Sequence, residues 1–177
     1  MNDITNIGTR LGRAHAAAQI VSRLRQKIID IKTVTSRLKP KSVFCVEWLD
    51  PLYASGHWVP EMIEIAGGHD PLGSKHTTAR KRSWNEVATA DPEILILIPC
   101  GFSFKKIQAE VGLLNQLPIW SELRAVRANQ VWIADGPAFF NQSGPRVISH
   151  GIPLLANIIH PEIYGAPDPT AAMRLIG

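Results

Sequence analysis

The run Ile94-Leu95-Ile96-Leu97-Ile98 is aliphatic at every position and so has no polar face. A strand wetted on one side alternates apolar and polar residues, whereas a strand covered on both sides does not. Asp91-Pro92 turns the chain into this run and Pro99 follows it, so it is short, buried and strand-like. Two further runs, Val43–Trp48 and Val131–Ala134, have the same character. Stretches of helical spacing separate the three. Strands alternating with helices imply an α/β fold, with a parallel-type sheet, right-handed crossovers and helices covering the sheet.

The first segment differs from the rest. Leu11, Ala14, Ala18, Val21, Leu24, Ile28, Ile31 and Leu38 recur at steps of three and four, which predicts one long helix over about residues 9–38. At about 1.5 Å per residue it would run about 45 Å. Lys39-Pro40 stops it, because proline lacks an N–H and disfavours helix in the residue before it. Farther on, Pro60–Ala66 reads as a helix stopped by Gly67-Gly68, and His69–Lys81 as a polar loop. Ser83-Trp84-Asn85-Glu86 is a capping box that opens a helix through Ala90. Ser103–Leu117 is helical, Trp120–Val126 covers the sheet, and Arg146–Ile159 closes the fold with a kink at Pro153. The organisation expected is residues 1–40 as stub and linker helix, 41–164 as an α/β ligand-binding lobe, and 165–177 as a Pro-rich tail.

Composition narrows the function classes. The chain has 177 residues, 45% of them hydrophobic and 19% charged, which suits one packed domain and not a disordered chain. No apolar run reaches 18 residues, so no transmembrane segment is expected. Residues 1–41 carry nine Lys/Arg against two acids, a net +7, while the remainder is −3. A basic arm can signal nucleic acid, but this one lacks aromatic residues for base stacking and reads as a solvated helix face, so no nucleic-acid partner is expected. Cys45 and Cys100 form neither a zinc spacing nor a disulfide framework. Phosphate-loop and dinucleotide fingerprints are absent.

The loops after the three runs share a chemistry. Leu49-Asp50-Pro51-Leu52-Tyr53, Pro99-Cys100-Gly101-Phe102 and Asp135-Gly136-Pro137-Ala138-Phe139-Phe140 are rich in rings, glycine and proline. In a parallel sheet the carboxyl ends of the strands share one edge, where ligands bind. Pooled there, the loops would form an apolar, ring-lined wall suited to a large flat ligand. Trp48 and Tyr53 stand at the mouth of the first strand, either as pocket rim or as packing. Phe102 follows the middle strand. The competing reading is an enzyme with Cys100 as nucleophile, which His57 and Asp50 could complete.

Asp50-Pro51, Gly56-His57-Trp58-Val59-Pro60-Glu61-Met62 and Ala66-Gly67-Gly68 resemble the carboxyl-terminal lobe of the helical-linker (class III) substrate-binding proteins of ABC importers, nearest the cobalamin-binding ones. Ser83–Val87 running into Ala90–Ile94, and Asp135-Gly136 followed by Phe139-Phe140-Asn141 and Gly144-Pro145-Arg146, are similar to the same family. The resemblance covers about residues 10–163. It implies two lobes joined by a rigid helix, and only one lobe follows the helix here. The amino-terminal lobe is then expected to be missing, and self-association is expected through the stripe Leu11, Ala14, Ala18 and Val21.

Function by resemblance is capture, not catalysis. The ligand would be cobalamin or a related corrinoid, with haem or a siderophore as the alternative, carried as cargo and not as a cofactor. The resemblance places Phe139 and Phe140 against the ring, with Trp58 a further ring contact. Gln142 stands where many relatives carry Arg. Glu61 would dock on permease arginines, or else simply favour its helix terminus. No metal-ligating set is expected. The family implies a periplasmic or cell-surface location, although Met1-Asn2-Asp3-Ile4-Thr5 does not read as a secretory signal.

Overall fold

The computed structural model describes residues 1–136 and 144–175. In chain order the first elements are α1 (Asn2–Arg10), α2 (Ala14–Thr35), β1 (Lys41–Trp48), β2 (Tyr53–Ala54), α3 (Val59–Ile65), β3 (Gly68–His69), β4 (Arg80–Lys81) and α4 (Trp84–Ala90). Then come β5 (Ile94–Leu97), α5 (Phe104–Leu114), a 3₁₀ turn (Pro118–Glu122), α6 (Arg124–Arg127) and β6 (Val131–Ala134). A π-helical turn (Val147–Gly151), α7 (Ile152–Ile159), α8 (Pro161–Tyr164) and β7 (Ala172–Arg174) complete the described chain.

The strand order is β4-β2-β1-β5-β6-β7, with β3 pairing the start of β1. The three apolar runs are its parallel centre: Val43 lies opposite Ile94, Val46 opposite Leu97, and Leu95 opposite Val131. Alternation then divides the core in two. Val43, Cys45, Ile94, Ile96 and Ile98 pack with α3 and α7 residues such as Ile63 and Leu155. Phe44, Val46, Leu95 and Leu97 pack on the other side with Ile107, Val111 and Trp120. The expected α/β lobe, its parallel-type sheet covered by helices behind an N-terminal helix, is observed. Added to it are antiparallel β2 and β4 on one side and β7 on the other. Strand β7 comes from the Pro-rich tail.

The first helix differs from expectation. It is broken at Gly12, which takes φ +65°, and Arg13 N–H donates to the Gly8 carbonyl at 2.7 Å to close the corner. Glycine reaches that conformation without a Cβ penalty, and apolar spacing runs through such a corner unaltered. α1 folds back on α2, with Gly8 so close to the Ala17 methyl that no side chain fits there. The stripe proposed for self-association is therefore not one surface. Leu11 is 70% exposed, Ala14 and Ala18 are exposed, and Val21 is buried with Ala17, Leu24, Ile31 and Thr35.

The kink expected at Pro153 is a π-helical turn just upstream. Proline offers no N–H to the carbonyl four residues back, and its ring crowds that oxygen. That carbonyl, on Ser149, instead accepts from Lys27 Nζ of α2 at 3.0 Å. Farther along α2, Thr35 Oγ1 donates to the Ile65 carbonyl at 2.8 Å, and Tyr164 Oη donates to that of Ile31 at 3.3 Å. Beneath them His160 is buried, its Nε2 3.1 Å from the Gly67 carbonyl and its Nδ1 3.1 Å from Glu162. Lys41 Nζ joins the group through the Ile159 carbonyl at 2.6 Å and Glu162 at 3.2 Å. The long helix is bolted to the lobe at the amino end of the sheet.

Candidate functional site

At the carboxyl end of β1 a bulge separates the pairs Val46–Ala54 and Trp48–Tyr53. Directly paired residues of an antiparallel ladder project to the same side, so Trp48 and Tyr53 are neighbours there. Trp48 is 36% exposed, and its Nε1–H donates to the Asp50 carbonyl at 3.0 Å, inside its own loop. With the polar tip satisfied, the ring surface is free for apolar contact. Phe102, after β5, meets Trp48 edge-on, ring centroids 5.1 Å apart. Lys106 Nζ lies 3.6 Å from the Phe102 centroid, a cation–π contact that brings positive charge to the rim.

Ser103 caps α5, accepting the Lys106 N–H at 3.4 Å, and so sets both Phe102 and Lys106 at this edge. Beside them a cleft of about 450 Å³ opens between Phe102, Phe104 and the end of β6 at Ala134 and Asp135. A larger groove of about 630 Å³ lies between α1 and α2, but its lining mixes Ala18, Val21 and Ile29 with polar residues such as Asn6 and Arg25, and it holds no ring.

Of the expected site residues, Trp48, Tyr53 and Phe102 come together. Trp58 does not. It is half-buried at the amino cap of α3 and packs on the core of the other layer, its ring 5.8 Å from that of His57. Glu61 is exposed in the first turn of α3. Phe139, Phe140 and Gln142 lie outside the described residues. Cys45 is buried, and that burial pushes its thiol well up, as suits a small core residue. Cys100 is exposed in the loop after β5, where its N–H donates to the Glu47 carbonyl at 3.3 Å.

Two carboxylates near this edge escape a reading by motif. Glu47, half-buried in β1, accepts the Gly56 N–H at 3.4 Å; burial raises its carboxyl above the usual range, against the lowering effects of that bond and of His57. Asp70 accepts from Leu72 N–H at 3.0 Å, Gly73 N–H at 2.7 Å and Ser55 Oγ–H at 3.2 Å. Burial outweighs these bonds and raises its carboxyl too. Asp70 orders the loop behind β2, and Gly56 is pressed against residues 77–79 of that loop, where a Cβ would meet backbone at 2.6 Å. The only sign of Glu47 in the sequence is a charge inside an apolar run. Among the described residues, no group of three or more His, Cys, Asp or Glu could hold a bare metal ion, and no helix is long and apolar enough to cross a membrane.

No curated protein matches significantly. Solved structures share the fold at low identity. An ABC transporter substrate-binding protein from Listeria monocytogenes superposes with a TM-score of 0.79 at 15% identity, over 90% of this chain and 62% of that one. IsdE from S. aureus, complexed with heme, gives 0.77 at 16%, over 90% and 63%. An Fe3+-hydroxamate transport protein from Saccharomonospora viridis gives 0.69 at 19%, over 90% and 54%. The chain thus spans less than two thirds of the length of each.

These comparisons correct the corrinoid expectation: the ligands named in these structures are heme and Fe3+-hydroxamate, not cobalamin. The motifs behind that expectation build scaffold, namely the cis Asp50-Pro51 turn, the start of α3 and the Gly67 stop, and scaffold does not choose between ligands. The family model for periplasmic binding proteins matches residues 1–138, in keeping with capture as the expected role. This chain belongs to the periplasmic binding protein family.

Proposed function

We propose that this chain is the ligand-capturing part of the substrate-binding component of an ABC importer, and that its cargo is an iron complex with an apolar face, haem first among them. The observation that carries the reading is the Trp48–Phe102 pair, with Tyr53 paired to Trp48, beside the cleft at the ends of β5 and β6. A flat macrocycle would lie on ring edges at that rim, and Lys106 supplies the charge its propionate carboxylates need. The structures named above, one holding heme and one of an Fe3+-hydroxamate system, support this cargo class. Glu61, exposed on α3, is the proposed contact for basic residues of a permease.

Haemin titration followed by its Soret band tests the reading. A saturable shift is expected, weakened about tenfold in Trp48→Ala, the loss of one ring contact of about 1.4 kcal/mol. No shift with haemin, together with saturable tryptophan quenching by a ferric hydroxamate, would transfer the cargo to the siderophore class. Failure of both would overturn the reading.

A further inference from the structure

We propose a second ligand site on the flank of the lobe, one that takes a small zwitterion with an apolar side chain, about the size of an aliphatic dipeptide. It is a cavity of about 480 Å³ between the β1–β2 loop, the junction of β4 with α4, and the second half of α5. That volume lies within the range of roughly 300–1,000 Å³ usual for small-molecule pockets. The site shares no residue with the cleft beside Phe102, and Asp50, whose carbonyl holds the Trp48 indole, is its link to the rim.

Three observations define the occupant. Leucines make the floor and walls: Leu49 and Leu52 from the loop, Leu113, Leu114 and Leu117 from α5 and the turn after it. Leu113 is 60% exposed beside the buried Leu114. Second, Arg82 on the wall is held almost completely. Its backbone N–H donates to the Leu52 carbonyl at 2.9 Å, its Nη2 to that of Leu72 at 2.9 Å, and its Nη1 to Glu86 at 3.4 Å. Its Nε is buried with no partner. A buried guanidinium N–H without an acceptor is costly, and a small shift of the side chain, which is 23% exposed, would bring it to an acceptor oxygen on an occupant.

Third, the wall carries both signs. Lys81 and Arg82 stand on the β4 side, Asp50 on the loop and Glu110 on α5. A simple fatty acid would pair with the two bases and leave the two acids unmatched, and an alkylamine would do the reverse. A molecule bearing both charges meets an opposite partner for each, while its side chain covers the leucines.

The test uses the intact chain, 15N-labelled, titrated with Leu-Leu and followed by amide and arginine Nε–H resonances. Saturable shifts are expected at Leu113, Leu117 and the Arg82 Nε–H. Ala-Ala and N-acetyl-Leu-Leu-amide should each bind at least about fivefold more weakly, the first for want of apolar contact and the second for want of charge. Leu113→Gln, at an exposed position that does not threaten folding, should weaken Leu-Leu by a similar factor, with an unchanged melting temperature as the control. Absence of saturation overturns the proposal. So does equal binding of the blocked peptide, which would make the cavity a merely apolar groove, and so does an unaltered affinity in Leu113→Gln.

Discussion

The two ends of the central sheet are built on opposite plans. At the amino end, where α2 meets the lobe, every polar group described above has a partner: Thr35 on Ile65, Tyr164 on Ile31, His160 between Gly67 and Glu162, Lys41 on Ile159. At the carboxyl end, rings and a lysine face outward around a cleft, held by local caps such as Ser103 and the Trp48 bond to Asp50. The first plan converts burial into rigidity; the second leaves contact area uncommitted. Stability and recognition should therefore respond to different substitutions.

The largest separation is expected at Gly67. It takes φ +84°, and a Cβ there would meet His160 Nε2 at 2.7 Å and Thr35 Cβ at 3.0 Å. Gly67→Ala combines backbone strain with a clash at the foot of α2, and chemical denaturation should show a loss of about 3 kcal/mol. Trp48→Ala, at the other end, should change stability by no more than about 1 kcal/mol while lowering cargo affinity. Equal destabilisation by the two would abolish the distinction between the ends.

A middle-sized effect is expected at His160, which is only 2% exposed. His160→Leu removes the ring's bond to the Gly67 carbonyl, which keeps the Lys41 N–H at 3.3 Å, so a loss of about 1 kcal/mol is expected by urea unfolding, with the carboxyl-edge rings unaffected in near-UV circular dichroism.

The smallest effect is in the pH dependence. A bond from its own backbone N–H, followed by those from His160 and Lys41, holds the Glu162 carboxyl down at about 2. A depressed folded value means its stabilisation is complete above the unfolded carboxyl range and is lost as pH falls toward 2. Because Glu162 is about half exposed, Glu162→Gln should lower the melting temperature by no more than about 3 °C at neutral pH, a gap that closes near pH 2. Asp70, raised by burial, has the opposite sign: the folded state holds its proton more tightly, so this group favours folding as pH falls. A Glu162→Gln gap that persists at pH 2 would contradict the assignment.

Much of the scaffold is legible along the chain because its signals are local and strong. The all-apolar run at Ile94–Ile98, bounded by Asp91-Pro92 and Pro99, gives the buried strand Ile94–Leu97, and the Ser83–Glu86 box is present with both of its reciprocal bonds. The corner at Gly12 is hidden because the apolar residues on either side continue the same spacing. Strand β7 is hidden because three residues carry no periodicity, and their place beside β6 is decided by distant packing. Of the site, Trp48, Tyr53 and Phe102 follow from their positions after strand ends. Trp58, expected as a ring contact from its place before a helix start, stands at the amino cap of α3 and packs on the layer that holds Cys45. Asp70 and Arg82 matter through partners far along the chain, which no short motif encodes. The cargo is not legible in the sequence, because the matching segments shape turns and helix starts, and scaffold does not choose between ligands.

The outer strands of the sheet carry one more consequence. β4 is only two residues long, Arg80-Lys81, both exposed, and β7 ends on exposed Arg174, whose guanidinium lies 4.7 Å from the Trp132 ring centroid. A second molecule trying to zip its border onto either margin would meet too few free backbone groups and a like charge. Edge-to-edge pairing of folded molecules is thereby disfavoured at both margins.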